Sequence, residues 1–157
     1  MSVNNNIGKP ERASQNRVIQ LFQNELGYTY LGDWEEEVRR QSIEEAILKD
    51  YLLAKGYSAI QSQKAIDKLV KTANNLSSGL YEANKEVYHL LRYGVTVRDE
   101  VGQPKETVWL IDWKDVESNQ FAVAEEVTVQ GKHTKRPDVV IYVNGIALGV
   151  IELKRSK

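Results

Sequence analysis

Arg136-Pro137-Asp138-Val139-Val140-Ile141-Tyr142-Val143-Asn144-Gly145 runs directly into Ile146-Ala147-Leu148-Gly149-Val150-Ile151-Glu152-Leu153-Lys154. The β-branched and aromatic residues on either side of Asn144-Gly145 favour extended backbone, and Asn-Gly is a strong hairpin turn signal. The stretch therefore reads as two apolar strands joined tightly. Asp138, Glu152 and Lys154 stand at the strand ends, where a buried core would want none of them. Glu152 and Lys154 are two residues apart, so on a strand both leave the same face. An Asp and a Glu together can hold a hard divalent cation through oxygen. A lysine beside them can steady an attacking water or a phosphate oxygen, which is chemistry suited to hydrolysing a phosphodiester.

Register places a demand on this reading. A two-residue Asn144-Gly145 loop pairs Val143 with Ile146 and sets Asp138 opposite Ile151, so that Asp138 and Glu152 face opposite sides of the sheet. A three-residue loop, with Gly145 in the left-handed region, pairs Tyr142 with Ile146 and returns both carboxylates to one face. A shared site therefore requires an odd-numbered loop or else a bulge.

Working outward, strands dominate the region before the hairpin. Val95-Thr96-Val97 is short, Thr107 to Trp113 is rich in β-formers, and Gln120 to Val129 alternates. Gly102-Gln103-Pro104 and Gly131 to Lys135 are the turns between them. Helices fill the first part. Pro10 suits a first helical turn, and Val18, Leu21, Phe22, Glu25 and Leu26 follow helical spacing up to Gly27. Tyr28 to Asp33 reads as a connection. Ser42-Ile43-Glu44-Glu45 has the form of a capping box ahead of a helix that Gly56 stops. Ser58 with Gln61 repeats the form, with Ile66, Leu69 and Val70 on the following stripe. Leu80, Ala83, Val87, Leu90 and Leu91 mark a third consecutive helix, ending near Gly94. Residues 1–8, with Asn4-Asn5-Asn6, read as a disordered lead-in to a domain spanning 9–157. Helices ahead of a sheet give an α/β (α+β) class with a mixed sheet flanked by helices.

Composition bounds the possibilities without choosing among them. The 157 residues are enough for one domain with a real core, and 41% hydrophobic against 27% charged residues fits a globular protein. No apolar run approaches a membrane span, so no membrane partner is expected. The absence of cysteine excludes disulfides, thiolate zinc sites and a cysteine nucleophile, and fits a cytoplasmic protein. Net charge is −1, so any DNA contact must come from a local basic patch. His89 and His133 belong to no ligand-spaced cluster. No Gly-rich Lys-Ser/Thr loop signals a phosphate cradle.

Together these segments resemble the Pro-Asp…Asp/Glu-x-Lys nuclease superfamily, and within it the N-terminal endonuclease domain of the R (motor/restriction) subunit of type I restriction enzymes. The resemblance begins at Glu11-Arg12-Ala13-Ser14-Gln15-Asn16-Arg17 and continues through Leu26-Gly27-Tyr28, Leu31-Gly32-Asp33-Trp34 and Asn119-Gln120-Phe121. It is densest across Arg136 to Gly145 and Val150 to Lys154. It implies a restriction-endonuclease-like core and Mg²⁺ held by Asp138, Glu152 and the Leu153 carbonyl. Lys154 would sit beside the scissile phosphate. Glu11 would add an acidic group from the first helix, with Gln15 the competing position. It further implies cleavage of double-stranded DNA after ATP-driven translocation, with methyltransferase (M) and specificity (S) subunits as partners. The family's Gln-x-x-x-Tyr helix and ATP-binding motor domains do not occur in these residues, so the chain is expected to be part of a larger subunit.

Each residue also has a plainer reading. Asp138 after proline is a common strand-entry residue, Glu152 could pair with Lys154 across solvent, and Glu11 favours a helix N-terminus. Lys132, Lys135 and Arg136, in the loop ahead of Pro137, form either a solvated hairpin tip or a set of phosphate contacts. A nuclease-like fold that merely grips DNA or docks a subunit is the alternative function.

Overall fold

The computed structural model describes residues 9–38, 42–130 and 133–154. The expected lead-in at 1–8 and Lys132 lie outside them. The chain divides into two compact units. The first comprises Met1–Ser42, Gln120–Val143 and Ala147–Lys157; the second comprises Ile43–Asn119 with Asn144–Ile146.

The first unit is built on a mixed sheet. Strands β1 (Thr29–Asp33), β4 (Phe121–Glu125), β5 (Val139–Val143) and β6 (Ile146–Ile151) lie in the order β1-β4-β5-β6. β1 runs parallel to β4, and β4 runs antiparallel to β5 with Glu125 opposite Val139. Tyr28 to Asp33, read as a connection, is largely this edge strand. Gly32 and Asp33 disguise it, and β1–β4 pairing carries an irregularity at Tyr30/Gly32 where the pattern breaks. The expected strand from Gln120 to Val129 ends at Glu125, because Glu126 takes a positive φ of 51° and donates its N–H to the Asp138 carbonyl at 3.0 Å.

Helix α1 (Lys9–Gln20) continues into a π-helical turn, Leu21–Glu25. Its inward stripe carries Gln15, Val18, Ile19 and, in the turn, Phe22, at helical spacing. Ile19 packs with Val123 and Val139, and Val18, Phe22, Tyr28, Ile141 and Ile151 close around them. Fully burying one such side chain contributes about 1.5–3 kcal/mol. On the sheet's other face Trp34, Ala122, Ala124, Val127, Val140 and Tyr142 form a second cluster, with Ala147 against it.

The hairpin takes the two-residue loop and not the three-residue one. Asn144 and Gly145 have φ of 52° and 81°, the two positive values of a tight two-residue turn. Such a loop alone would separate the carboxylates. Ala147, however, packs on the Tyr142 face, whereas a side chain at Gly149 would lie 3.6 Å from the Ile141 Cβ on the opposite face, and Ile151 follows it there. Residues two and four apart on a regular strand share a face, so the phase slips by one between Ala147 and Gly149. A one-residue slip of this kind is what a β-bulge produces. Asp138 and Glu152 stand one residue beyond the ends of β5 and β6, so with this slip the simple alternation no longer sets them on opposite faces.

The second unit contains α2 (Glu45–Ala54), α3 (Ala59–Asn74), α4 (Leu80–Tyr93) and the β2–β3 pair (Val95–Val97 with Glu106–Val108). Leu48, Leu52, Ile66, Leu69, Val108 and Leu110 are its fully buried centre. The Ser58 capping box forms in full: the Ser58 hydroxyl accepts the Gln61 N–H and the Gln61 side chain accepts the Ser58 N–H, each at 3.0 Å. The one expected at Ser42 does not. Glu44 is the N-cap and no side-chain hydrogen bond caps the helix, because Ile43 is spent bridging Ile146 in extended form. Gly145 is constrained here as well: a Cβ would stand 2.7 Å from the Glu44 carbonyl oxygen.

The strand expected over Thr107 to Trp113 stops at Val108. Beyond it, side chains replace sheet bonds. Asn119 Oδ1 accepts the Asp112 N–H at 2.8 Å, and its Nδ2 donates to the carbonyls of Asp112 and Val116 at 2.9 and 2.8 Å. Asp112 accepts the N–H groups of Asp115 and Lys114 and the Lys55 ammonium. The Asp115 N–H foremost, then Lys55, hold its carboxyl well below the usual carboxylate range.

Candidate active site

Asp138 is positioned from both ends of its peptide. Its carbonyl accepts the Glu126 N–H, and its Oδ2 accepts the Leu153 N–H at 2.5 Å, tying the start of β5 to the residue after Glu152. Glu152 and Lys154 are exposed, and neither makes a hydrogen bond or ion pair with a described residue. The plainer reading, in which they neutralise each other, is therefore not what the structure adopts. Both remain available to solvent and ligand.

A cleft of about 240 Å³ beside Asp138 is lined by Glu11, Arg12, Gln15, Glu126, Arg136 and Asp138. Glu11 and Gln15 are four apart on α1 and so share a helix face. Both line this cleft. Gln15 is buried, and its amide donates to Glu125 Oε1 at 3.0 Å, Glu126 Oε1 at 3.1 Å and, more weakly, the Asp138 carbonyl at 3.4 Å. Arg136 is held by carboxylates on two sides, Glu35 at 2.8 Å and Glu126 at 3.1 Å. Lys135 is exposed, its backbone paired with Val129.

Three contributors escaped the sequence reading. Glu125 is 3% exposed, and a buried carboxylate is costly unless paired. It accepts the Tyr30 hydroxyl at 2.5 Å as well as Gln15, and Arg12 stands 3.6 Å away. Glu126 closes the strand with the positive φ described above. The signal for both was present: Phe121-Ala122-Val123-Ala124 ends in two carboxylates, as Val150-Ile151 ends in Glu152. Tyr30 gave none, because its strand read as a connection.

Burial, and then the Glu125 carboxylate, push the Tyr30 hydroxyl up to about 12. An unfolded tyrosine titrates near 10. Between these values the unfolded chain releases a proton that the folded one keeps, so stability is full below pH 10 and falls as pH rises through 10–12. Tyr30→Phe should therefore shrink the alkaline fall in melting temperature and remove one late-titrating phenol. An unchanged alkaline limb in the variant would contradict this.

The donor set suits a hard cation. Among the described residues no three His, Cys, Asp or Glu side chains form a ready metal cage. Mg²⁺ does not need one: it takes one or two carboxylates and keeps several waters. Asp138 borders the cleft with Glu11 and Glu126, whereas Glu152 and Lys154 are not among its lining residues.

With fold and geometry in hand, the chain belongs to the family described as type I restriction enzyme R protein N terminus, whose profile matches residues 9–157. It is 30% identical over 155 residues to a Methanocaldococcus jannaschii protein named, provisionally, type I restriction enzyme MjaIXP endonuclease subunit; this covers 91% of the chain and 15% of that protein. It is 37% identical over 97 residues to the type I restriction enzyme HindI endonuclease subunit of Haemophilus influenzae, covering 59% of the chain and 9% of that protein. The chain thus spans 15% or less of these relatives. No helix among the described residues is long and apolar enough to cross a membrane.

Proposed function

We propose that this chain is the DNA-cleaving part of a type I restriction enzyme R subunit, and that its site is Asp138, Glu152 and Lys154 with Glu11 alongside. The observation that carries the reading is the bond from the Leu153 N–H to Asp138 Oδ2 across a bulged hairpin. A bulge and a turn together cost regular sheet pairing, and a shared face for two like-charged groups would account for that cost. Like charges in proximity are unfavourable unless a cation joins them.

Asp138 and Glu152 would hold Mg²⁺, with the Leu153 carbonyl as a further oxygen ligand. When bound, the ion supplies charge neutralisation at the phosphate and lowers the pKa of a bound water. Lys154 donates hydrogen bonds to a non-bridging phosphate oxygen and stabilises the charge that builds there as the P–O bond breaks. Gln15 holds the Asp138 peptide in place through its carbonyl. Lys132 and Lys135 contact flanking phosphates, and Arg136 does so by exchanging Glu35 for DNA. In the complete enzyme, ATP-driven translocation by other domains would precede the cut, the M and S subunits would supply modification and sequence recognition, and the complex would work in the cytoplasm.

The test is conversion of supercoiled plasmid by the reconstituted enzyme with ATP and either Mg²⁺ or a chelator-saturated divalent pool. Nicked and linear products with Mg²⁺ support the proposal. DNA binding and ATP turnover with no strand scission under any divalent metal would instead favour a non-catalytic docking module.

A further inference from the structure

We infer that a cleft in the second unit binds one nucleotide of a single DNA strand, its base stacked on tryptophan and its phosphate met by Arg92 and Lys114. The cleft shares no residue with the Asp138 site, and the inference does not depend on that site's chemistry. Its volume, about 460 Å³, lies in the range of small-molecule sites and accommodates a base with its sugar and phosphate.

Its walls are aromatic and fixed. Trp109 and Trp113 are 44% and 45% exposed, whereas tryptophan is on average highly buried. They are not loose. The backbone N–H of Trp109 donates to the Tyr57 hydroxyl at 3.0 Å, fixing the chain at the root of that ring, and the Trp113 indole N–H donates to the Leu91 carbonyl at 2.8 Å. Gly94 gives close passage to this segment, since a Cβ there would stand 2.5 Å from Thr107 Cγ2 and 3.0 Å from the Val108 carbonyl oxygen. The loop itself is locked by Asn119 and Asp112. Two large apolar rings are therefore held open to solvent on a hydrogen-bonded frame. With its N–H already bonded, Trp113 has only π surface left to offer a ligand.

Charge selects the occupant. Asp112, the cleft's carboxylate, is already met by Lys55 at 2.9 Å. Arg92 lies 5.2 Å from the Trp113 ring, and among the described residues neither Arg92 nor Lys114 has a carboxylate partner. Rigid indoles beside uncompensated cations match a flat base joined to an anion. An apolar peptide would leave the cations unmet, an acidic one would leave the indoles unused, and a duplex keeps its base faces stacked away.

The experiment is quenching of tryptophan fluorescence in EDTA by an oligothymidylate of about 12 nucleotides. Thymidine monophosphate, a blunt duplex and polyglutamate serve as the other arms. Trp34 is buried in the first unit and supplies a constant background. The oligothymidylate should quench, and bind at least about tenfold more tightly than any other arm. Trp109→Ala should weaken binding about 5- to 150-fold, the range of one lost base stack, with Trp109→Phe recovering most of it. Arg92 is exposed, so Arg92→Glu keeps the fold and should weaken binding comparably, while Asp138→Ala leaves it unchanged. Absence of quenching, unchanged affinity in Arg92→Glu, or equal binding of duplex or polyglutamate overturns the inference. Thymidine monophosphate binding as tightly as the strand also overturns it, since the site would then take a free nucleotide.

Discussion

In the complete restriction enzyme, Asp138→Ala, Glu152→Ala and Lys154→Ala should each lower DNA cleavage at least about a hundredfold, while ATP hydrolysis and translocation persist. The expectation rests on what these groups touch. Glu152 and Lys154 are exposed and bonded to no described residue, so neither substitution removes a packing or hydrogen-bond contribution. A loss of activity from either is therefore a loss at the scissile phosphate and not of the fold. Asp138→Ala removes the acceptor for the Leu153 N–H as well, so its effect on cleavage should be accompanied by a modest loss of stability, about 1 kcal/mol. Asp138→Asn keeps an acceptor at that position and should separate the two. Cleavage of circular DNA and release of phosphate, measured on the same preparations, check the outcome. A Glu152→Ala enzyme that linearises DNA at the parental rate would show that the site has been misassigned.

The largest effect on stability is expected at Asn119. Its amide makes five bonds: it donates to the Asp112 and Val116 carbonyls, and it accepts from the Asp112 N–H, the Tyr51 hydroxyl at 3.3 Å and the Asn144 amide at 2.9 Å. It is buried, so water does not replace these partners. Asn119→Ala removes one partner of the Tyr51 hydroxyl and strands several backbone groups, and should cost about 3 kcal/mol. Asn119→Asp retains acceptors but loses both donations, and should also destabilise. Urea denaturation followed by circular dichroism measures this directly. A shift corresponding to less than about 1 kcal/mol would mean that the loop is held by something other than this residue.

How far the sequence disclosed the molecule depends on whether local pattern or distant partners set each element. The Ser58-x-x-Gln61 box, the three helical stripes and the Asn144-Gly145 turn are local, and each stands where its residues put it. β1 was hidden because its strand character comes from parallel pairing with β4, more than 90 residues away in the chain. The Ser42 box failed for the same reason: Ile43 is claimed by Ile146 before the helix can begin. Thr107 to Trp113 has strand composition, yet beyond Val108 side chains bond its backbone instead: Tyr57 at the Trp109 N–H, Asn144 at the Leu110 carbonyl and Asn119 at Asp112. Asp138, Glu152 and Lys154 stand out as candidates because charges ending apolar strands are conspicuous, and of the three Asp138 lines the cleft. The buried Glu125 and its Tyr30 and Arg12 partners were not visible, since their meeting depends on how α1 and β1 meet the end of β4.

The central claim is that Asp138 and Glu152 share one divalent cation. Calorimetric titration of this chain with Mn²⁺ tests it most directly, comparing the parent with Asp138→Ala and Glu152→Ala. One site per chain should be seen in the parent, accompanied by a rise in melting temperature, because a ligand bound to the folded form alone stabilises it. Both the heat and the rise should vanish in either variant. Equal stoichiometry and equal affinity in the parent and in both variants would contradict the account, for the metal would then be held elsewhere.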